Sequence, residues 1–200
     1  WHSEDVRWLR DQRLCAAMLS KCETAAQAAD VRACMGTDAQ VLALVETAKG
    51  VLSAADLAQS GQVARLAFGS IDFMLDLDLP GPGLALDSAA FAIALASRSA
   101  GLPAPIAGVT PALDAQRVQA DWVQARALGF GAKMCIHPTQ VAALNDALQP
   151  DATRVAWAMR VTEAWKTAGG AGAIQVDGQM VDKPVLLNAQ RILAASGQPS

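Results

Sequence analysis

Short, nearly continuous apolar runs alternate along the chain with longer stretches of helical periodicity, the pattern of a parallel β/α fold. Five runs read as strands: residues 14–19, 41–45, 63–68, 105–109 and 133–136. Each is apolar at almost every position, as a strand needs when helices cover one face and a core the other. The stretches between them read as helices. Asp114 is placed to cap one with Val118, Trp122 and Ala125 on one side and Gly129 at its end. Ser88 is placed to cap another that buries Phe91 and Leu95 and stops before Gly101. Pro138 suits a helix N-terminus, followed by Val141, Leu144 and Leu148 on one face. A longer helix, from about residue 151 to 168, carries Val155, Met159 and Thr162 as its inner stripe.

The tail follows a different pattern. Residues 173–176 and 179–181 flank Asp177-Gly178, a type I′ hairpin signal. Pro184 then opens a last helix with Val185, Ala189, Ile192 and Leu193 on one face. The chain therefore divides into a β/α region, residues 1–172, and a hairpin-plus-helix appendage, residues 173–200. Residues 79–83, with two prolines and two glycines, read as a loop.

Composition narrows the class. Of the 200 residues 52% are hydrophobic and 18% charged, which argues for a folded globular protein. A net charge of -3 gives no electrostatic footprint for nucleic acid or an anionic membrane, and no apolar run is long enough to span a bilayer. The first residues are charged and carry no signal-peptide core, although residue 1 is Trp and a preceding leader stays open. Cys15, Cys22, Cys34 and Cys135 match no paired Cys-x-x-Cys pattern, so they read as reduced core or near-core thiols of a cytosolic protein.

Parallel β/α enzymes place their sites at the C-terminal ends of strands. Those positions here hold Ser20-Lys21, Glu46-Thr47, Gly69 to Asp72, Gly108 to Thr110, and His137-Pro138. Acids that end consecutive strands, Glu46 and Asp72, can reach one Mg²⁺, which takes one or two carboxylates and leaves positions for water and substrate. Strand-end acids also pair with lysines or cap loops, so spacing alone leaves both readings open. Gly69-Ser70 lets the backbone approach a ligand, and its N–H groups could receive a carboxylate. Lys133, inside an apolar strand, needs an acid, a ligand anion or another partner. His137 as a lone strand-end histidine is more often a hydrogen-bonded structural residue than a catalyst. Asp177 is accounted for by its turn, and Asp182 by the dipole of the Pro184 helix.

Four segments, in order along the chain, resemble one family. Gly131-Ala-Lys-Met-Cys-Ile-His-Pro-Thr-Gln-Val141 is similar to the strand-eight signature of the citrate lyase β-subunit and malyl-CoA lyase family, within the HpcH/HpaI aldolase superfamily. Val176-Asp-Gly-Gln-Met-Val-Asp-Lys-Pro184 and the helix after it resemble that family's C-terminal hairpin. Val45-Glu-Thr-Ala-Lys-Gly50 and Phe68-Gly-Ser-Ile-Asp72 look like its two metal motifs. The resemblance implies a (β/α)8 TIM-type barrel, trimeric in intact relatives, of which this chain holds strands four to eight. It implies a Mg²⁺-dependent lyase that cleaves a 3-hydroxyacyl thioester, of citryl-, malyl- or citramalyl-CoA type, to an acyl thioester and a 2-oxo acid. Glu46 and Asp72 match the metal ligands, and Gly69 and Ser70 the binders of the acid's carboxylate. Lys21 and the stretch from His137 to Gln140 border the CoA or acyl-carrier thioester. Asp182 matches an aspartate that, in several relatives, enters the neighbouring subunit's site as an acid/base group.

The chain also departs from that pattern. Ile71 replaces a glutamate before the metal-binding aspartate, Ser20 replaces a proline before Lys21, and Ala107 stands where many relatives have an aspartate. In the family, three more strands precede the segment matching residues 1–11, and the third carries an Arg-x-Asn motif whose arginine binds the thioester carbonyl. Arg7, Arg10 and Arg13 lie downstream of that position and do not inherit its role. Five strands cannot close an eight-stranded barrel, and an opened barrel exposes two sheet edges. The resemblance thus implies a further N-terminal segment. An acyl-CoA thioesterase on the same scaffold, or a catalytically silent assembly subunit, are the other functions these departures leave open.

Overall fold

In the computed structural model, which describes residues 14–36, 39–169 and 172–197 together with Glu4, Asp5 and Trp8, the five apolar runs form one parallel sheet. Its strands are β1 (Ala16–Leu19), β2 (Gln40–Val45), β3 (Arg65–Phe68), β4 (Ile106–Ala107) and β5 (Ala132–Lys133), hydrogen-bonded in chain order. The order never reverses, so each strand is followed by a helical crossover to its next neighbour. The crossovers carry α1 (Ala25–Met35), α2 (Ala48–Leu52), α3 (Ala54–Gln59), α4 (Ser70–Asp76), α5 (Leu84–Ser99) and α6 (Ala115–Ala127).

Register assigns every strand residue to a face. Leu42 pairs with Arg65, Leu44 with Ala67, Ala67 with Ile106, and Ile106 with Ala132. These residues share one face, because paired positions of a parallel sheet point the same way. The other face holds Val41, Ala43, Val45, Leu66, Phe68 and Ala107, all buried in one core with Leu57, Ile93 and Phe130. The alternation thus fixes which strand-end residues continue toward which side.

Strand β4 is shorter than the apolar run that contains it, and β5 overlaps its run only at Lys133. Pro105 has no N–H to donate, and a side chain takes the carbonyl of Gly108, so the ladder stops on both sides of Ile106–Ala107. Single bonds, Gly131 N–H to Pro105 O at 3.0 Å and Met134 N–H to Ala107 O at 3.0 Å, keep the flanks aligned.

Asp114 caps α6 through the N–H groups of Gln116 and Arg117, and Val118 and Trp122 are buried as the pattern requires. Helix α5 corrects the expectation at Ser88. It begins a turn earlier, after Gly83, and its buried stripe is Ala89, Ala90, Ile93, Ala94, Ala96 and Ser97. Phe91 and Leu95 are half-exposed instead. Small residues let the helix sit close to the sheet, and the large ones are carried to its outer side. Cys22 is buried and Cys34 and Cys135 half-buried, but Cys15 is exposed, so it is not a core thiol. Burial raises the Cys22 thiol to about 11, which makes it inert near neutral pH.

Two compact units meet between Leu144 and Asn145. α7 (Thr139–Leu148) runs across this division; in it Leu144 is buried and Val141 exposed. The second unit contains α8 (Ala152–Thr167), the antiparallel pair β6 (Ile174–Val176) and β7 (Gln179–Val181), and α9 (Lys183–Ala195). The turn is of type I′, with Asp177 at φ 50° and Gly178 at φ 78°. Its core joins Ala158 and Val161 of α8 to Val176, Val181, Ala189, Ile192 and Leu193. A two-stranded hairpin cannot bury its apolar face alone, so α8 belongs with it and the division falls one helix before the expected boundary at residue 172. Met159 lies outside that core and is exposed; Val161 and Thr162 form the stripe with Ala158. No helix among the described residues is long and apolar enough to cross a membrane.

Candidate metal centre

Four carboxylates gather around the ends of β1, β2 and β3, and their partners separate them into two kinds. Glu23 accepts a hydrogen bond from the Thr47 hydroxyl at 2.8 Å and an ion pair from Lys49 at 3.0 Å. The lysine first, and then the hydroxyl, holds its carboxyl below the usual range. Asp76 accepts the Ala48 N–H at 2.7 Å and so caps α2 from a distance. These two are structurally committed.

Glu46 and Asp72 are not. Glu46 follows β2 at the position that continues the Leu42–Leu44 side, and it is 5% exposed. Its Oε1 accepts the Lys21 N–H at 2.8 Å. No described cation pairs with it, and no described donor bonds to Oε2. Asp72, in the first turn of α4, is exposed and makes no hydrogen bond or ion pair to any described residue. Burial raises the Glu46 carboxyl above its ordinary range, and the nearby negative charge of Asp72 pushes the same way against the Lys21 N–H. Two neighbouring carboxylates, one desolvated and neither in an ion pair with a described cation, are the donor set that a divalent cation would complete. No group of three or more ligating side chains exists among the described residues, so water or substrate would fill the other positions.

Backbone geometry holds this arrangement. Lys21 has φ 47°, a left-handed conformation for a non-glycine residue, and it is this turn that aims its N–H at Glu46. Its ammonium end is exposed. Gly69 has φ -89°, which any residue could adopt, yet a Cβ there would lie 2.6 Å from both Cβ and Oε2 of Glu46. Gly69→Ala is therefore expected to displace the Glu46 carboxylate and cost about 1–2 kcal/mol by overpacking. Thermal unfolding and Mn²⁺ titration of the same variant check both parts. Gly108 plays the matching role for Ser70, since a Cβ on it would lie 2.5 Å from the Ser70 hydroxyl.

The remaining sequence candidates occupy other surroundings. His137 is exposed after β5, and its Nδ1 lies 2.9 Å from the Thr139 hydroxyl and accepts the Thr139 N–H at 3.3 Å. Lys133 donates to the Gly108 carbonyl at 2.6 Å, so its partner is main chain rather than an acid. Asp182, in the second unit, caps α9 by accepting the Val185 N–H at 3.2 Å. Asp182→Ala is expected to cost about 1 kcal/mol, whereas Asp182→Asn keeps the cap. Denaturant titration of the two variants separates that structural role from any chemical one. Arg7, Arg10 and Arg13 lie outside the described residues.

Gln140, counted from the sequence only among residues bordering the thioester, is 1% exposed and organises two strand-end loops. Its amide donates to the Thr110 and Ala112 carbonyls, each at 2.8 Å, and its Oε1 accepts the Ile136 N–H at 3.0 Å. A buried amide in the first turn of a helix leaves no periodic signal, which is why the pattern of residues did not single it out.

Comparison with known proteins identifies the family. The sequence model of the HpcH/HpaI aldolase/citrate lyase family matches residues 1–138. A citrate lyase subunit β-like protein of Mycobacterium tuberculosis is 32% identical over 98% of this chain and 72% of its own length. A (3S)-malyl-CoA thioesterase of Cereibacter sphaeroides is 29% identical over 97% of this chain and 69% of its own. Among solved structures, CitE of M. tuberculosis in complex with magnesium, acetoacetate and coenzyme A superposes with a TM-score of 0.86 at 30% identity, covering 98% of this chain and 73% of that one. The chain belongs to the HpcH/HpaI aldolase/citrate lyase family.

Proposed function

We propose that Glu46 and Asp72 hold a Mg²⁺ ion and that the protein cleaves the C2–C3 bond of a 3-hydroxyacyl thioester carried on CoA or an acyl carrier. The observation that carries this reading is the buried Glu46 carboxylate beside Asp72, neither of them in an ion pair with a described cation. The M. tuberculosis relative with magnesium, acetoacetate and coenzyme A supports the choice of cation and of a thioester substrate. A bound cation would supply Lewis-acid polarisation of the 2-oxo acid. The chain's own residues do the rest. N–H groups around Gly69 and Ser70 receive the acid's carboxylate, and Lys21 and His137 border the thioester. A carboxylate, Asp182 contributed by a second copy, takes the 3-hydroxyl proton. The C2–C3 electrons pass to C2, which is protonated to give the acyl thioester, while C3 becomes the carbonyl of the 2-oxo acid.

This reading goes with the chain forming strands four to eight of a (β/α)8 barrel in a homotrimer. The unreversed strand order supports the barrel. Full-length protein incubated with Mg²⁺ and citryl-, malyl- and citramalyl-CoA is expected to release a 2-oxo acid from at least one of them. Folded protein that cleaves none overturns the reading. The Cereibacter relatives support a second outcome, hydrolysis on the same scaffold, which would give free malate and no glyoxylate.

A further inference from the structure

The sheet has a second chemically distinctive place, on the face opposite the carboxylate pair. Lys133 pairs in register with Ala107, and Ala107 belongs to the helix-covered core, so the Lys133 side chain leaves the sheet on the helix side. There it lines a cavity of about 280 Å³ enclosed by the sheet and helices α4, α5 and α6. Phe68, Met74, Leu86, Ala90, Leu128 and Phe130 give it an apolar wall. Its size falls near the lower bound of small-molecule sites, ~300 Å³.

Lys133 is incompletely satisfied at that wall. An ammonium has three N–H donors, and one of them goes to the Gly108 carbonyl. Asp121, the acid whose charge reaches it, is taken up elsewhere: Oδ2 accepts the Thr110 hydroxyl at 2.7 Å and Oδ1 pairs with Arg117 at 2.9 Å. No described carboxylate forms an ion pair with Lys133. Burial pushes its ammonium below the ordinary range, the response of a partly desolvated cation lacking a close counter-ion. Asp87 and Asp121 also line the cavity, and they would repel a second negative charge on a ligand.

We propose that this cavity is a binding site for a monocarboxylate with a short unbranched apolar tail, its carboxylate on Lys133 and its tail against Phe68, Leu86 and Leu128. The site shares neither Glu46 nor Asp72, and it adjoins the proposed lyase site only through Ser70, so it would act as a regulatory or product-sensing pocket beside it. Ser70 and Ile71 form part of its wall, and through them an occupant would touch the segment that carries Asp72.

Isothermal titration of full-length, metal-free protein with octanoate and with octanamide tests the proposal. Octanoate is expected to saturate one site, and octanamide, which lacks the charge, to bind at least tenfold more weakly. Lys133→Met should weaken octanoate at least tenfold and leave octanamide unchanged. Ala125→Leu, which narrows the cavity from α6, should weaken both, and it decides the matter if Lys133→Met does not fold. Glu46→Gln should change neither. Absence of saturable octanoate binding overturns the proposal, as does equal affinity for the amide. So does an unchanged octanoate affinity in folded Lys133→Met or Ala125→Leu. Loss of octanoate binding in Glu46→Gln would place the acid at the carboxylate pair and overturn it as well, without bearing on thioester cleavage.

Discussion

Glu46→Gln is expected to abolish divalent-cation binding and lower turnover about 10³-fold while making the metal-free protein more stable. The two effects have one origin. Glu46 is 5% exposed, raised by burial and by Asp72, and held by a single main-chain N–H. Its ionised form is therefore costly until a cation arrives. Glutamine keeps an oxygen for the Lys21 N–H and removes the charge, a gain on the order of 1 kcal/mol, or ~2–4 °C in a domain of this size. The pH dependence carries the same signature. Between the unfolded pKa of a glutamate, about 4.3, and the raised folded value, the native state binds more protons than the unfolded one. The Glu46 contribution to metal-free stability should thus be fully present below that window and be lost as pH rises through it, so the difference between Glu46→Gln and wild type should grow across that window. Calorimetric melting across pH, with and without Mg²⁺, measures both. Equal, weak Mg²⁺ affinity in wild type and variant would identify a catalytically silent subunit instead.

Gln140→Leu is expected to be strongly destabilising for a polar position, at about 3 kcal/mol or ~6–12 °C. Leucine matches the side chain in bulk but leaves the Thr110 and Ala112 carbonyls and the Ile136 N–H without the partner they share. Unsatisfied buried groups cost ~1–3 kcal/mol each, and water admitted to the gap would recover part of that. Gln140→Glu should cost at least as much, since it keeps the acceptor for Ile136 but turns a buried carboxylate oxygen toward two carbonyl oxygens. Urea unfolding followed by tryptophan fluorescence gives the order; a leucine variant as stable as wild type would contradict the network.

Periodicity in the sequence goes a long way toward the fold. Val41, Ala43 and Val45 are buried as a covered strand requires, Asp114 and Asp151 cap the helices they precede, and Asp177-Gly178 makes the turn its residues demand. The pattern misleads where size and burial part company. Phe91 and Leu95 on α5, and Met159 on α8, look like an inner stripe, but close packing of small residues turns them outward. The candidate site divides along similar lines. Glu46 and Asp72 are legible because strand ends are where β/α folds place chemistry. What distinguishes them from Glu23 and Asp76 is the partner each carboxylate has, and Thr47, Lys49 and Ala48 become partners only through tertiary contact. Lys133 reads from sequence as a charge in need of an acid or a ligand anion, and a backbone carbonyl just beyond the neighbouring strand meets part of that need.

The Lys21 contact has a consequence for anyone mapping this protein by mutation. The atom that orients Glu46 belongs to the peptide unit, so every substitution except proline carries it unchanged. Alanine scanning would report the Lys21 side chain and pass over the anchor. What remains adjustable is the dihedral: glycine or asparagine, which enter the left-handed region at little cost, should hold the carboxylate as well as lysine does, and a β-branched residue should not. As far as the hold on Glu46 goes, sequence variation at this position would then track backbone tolerance.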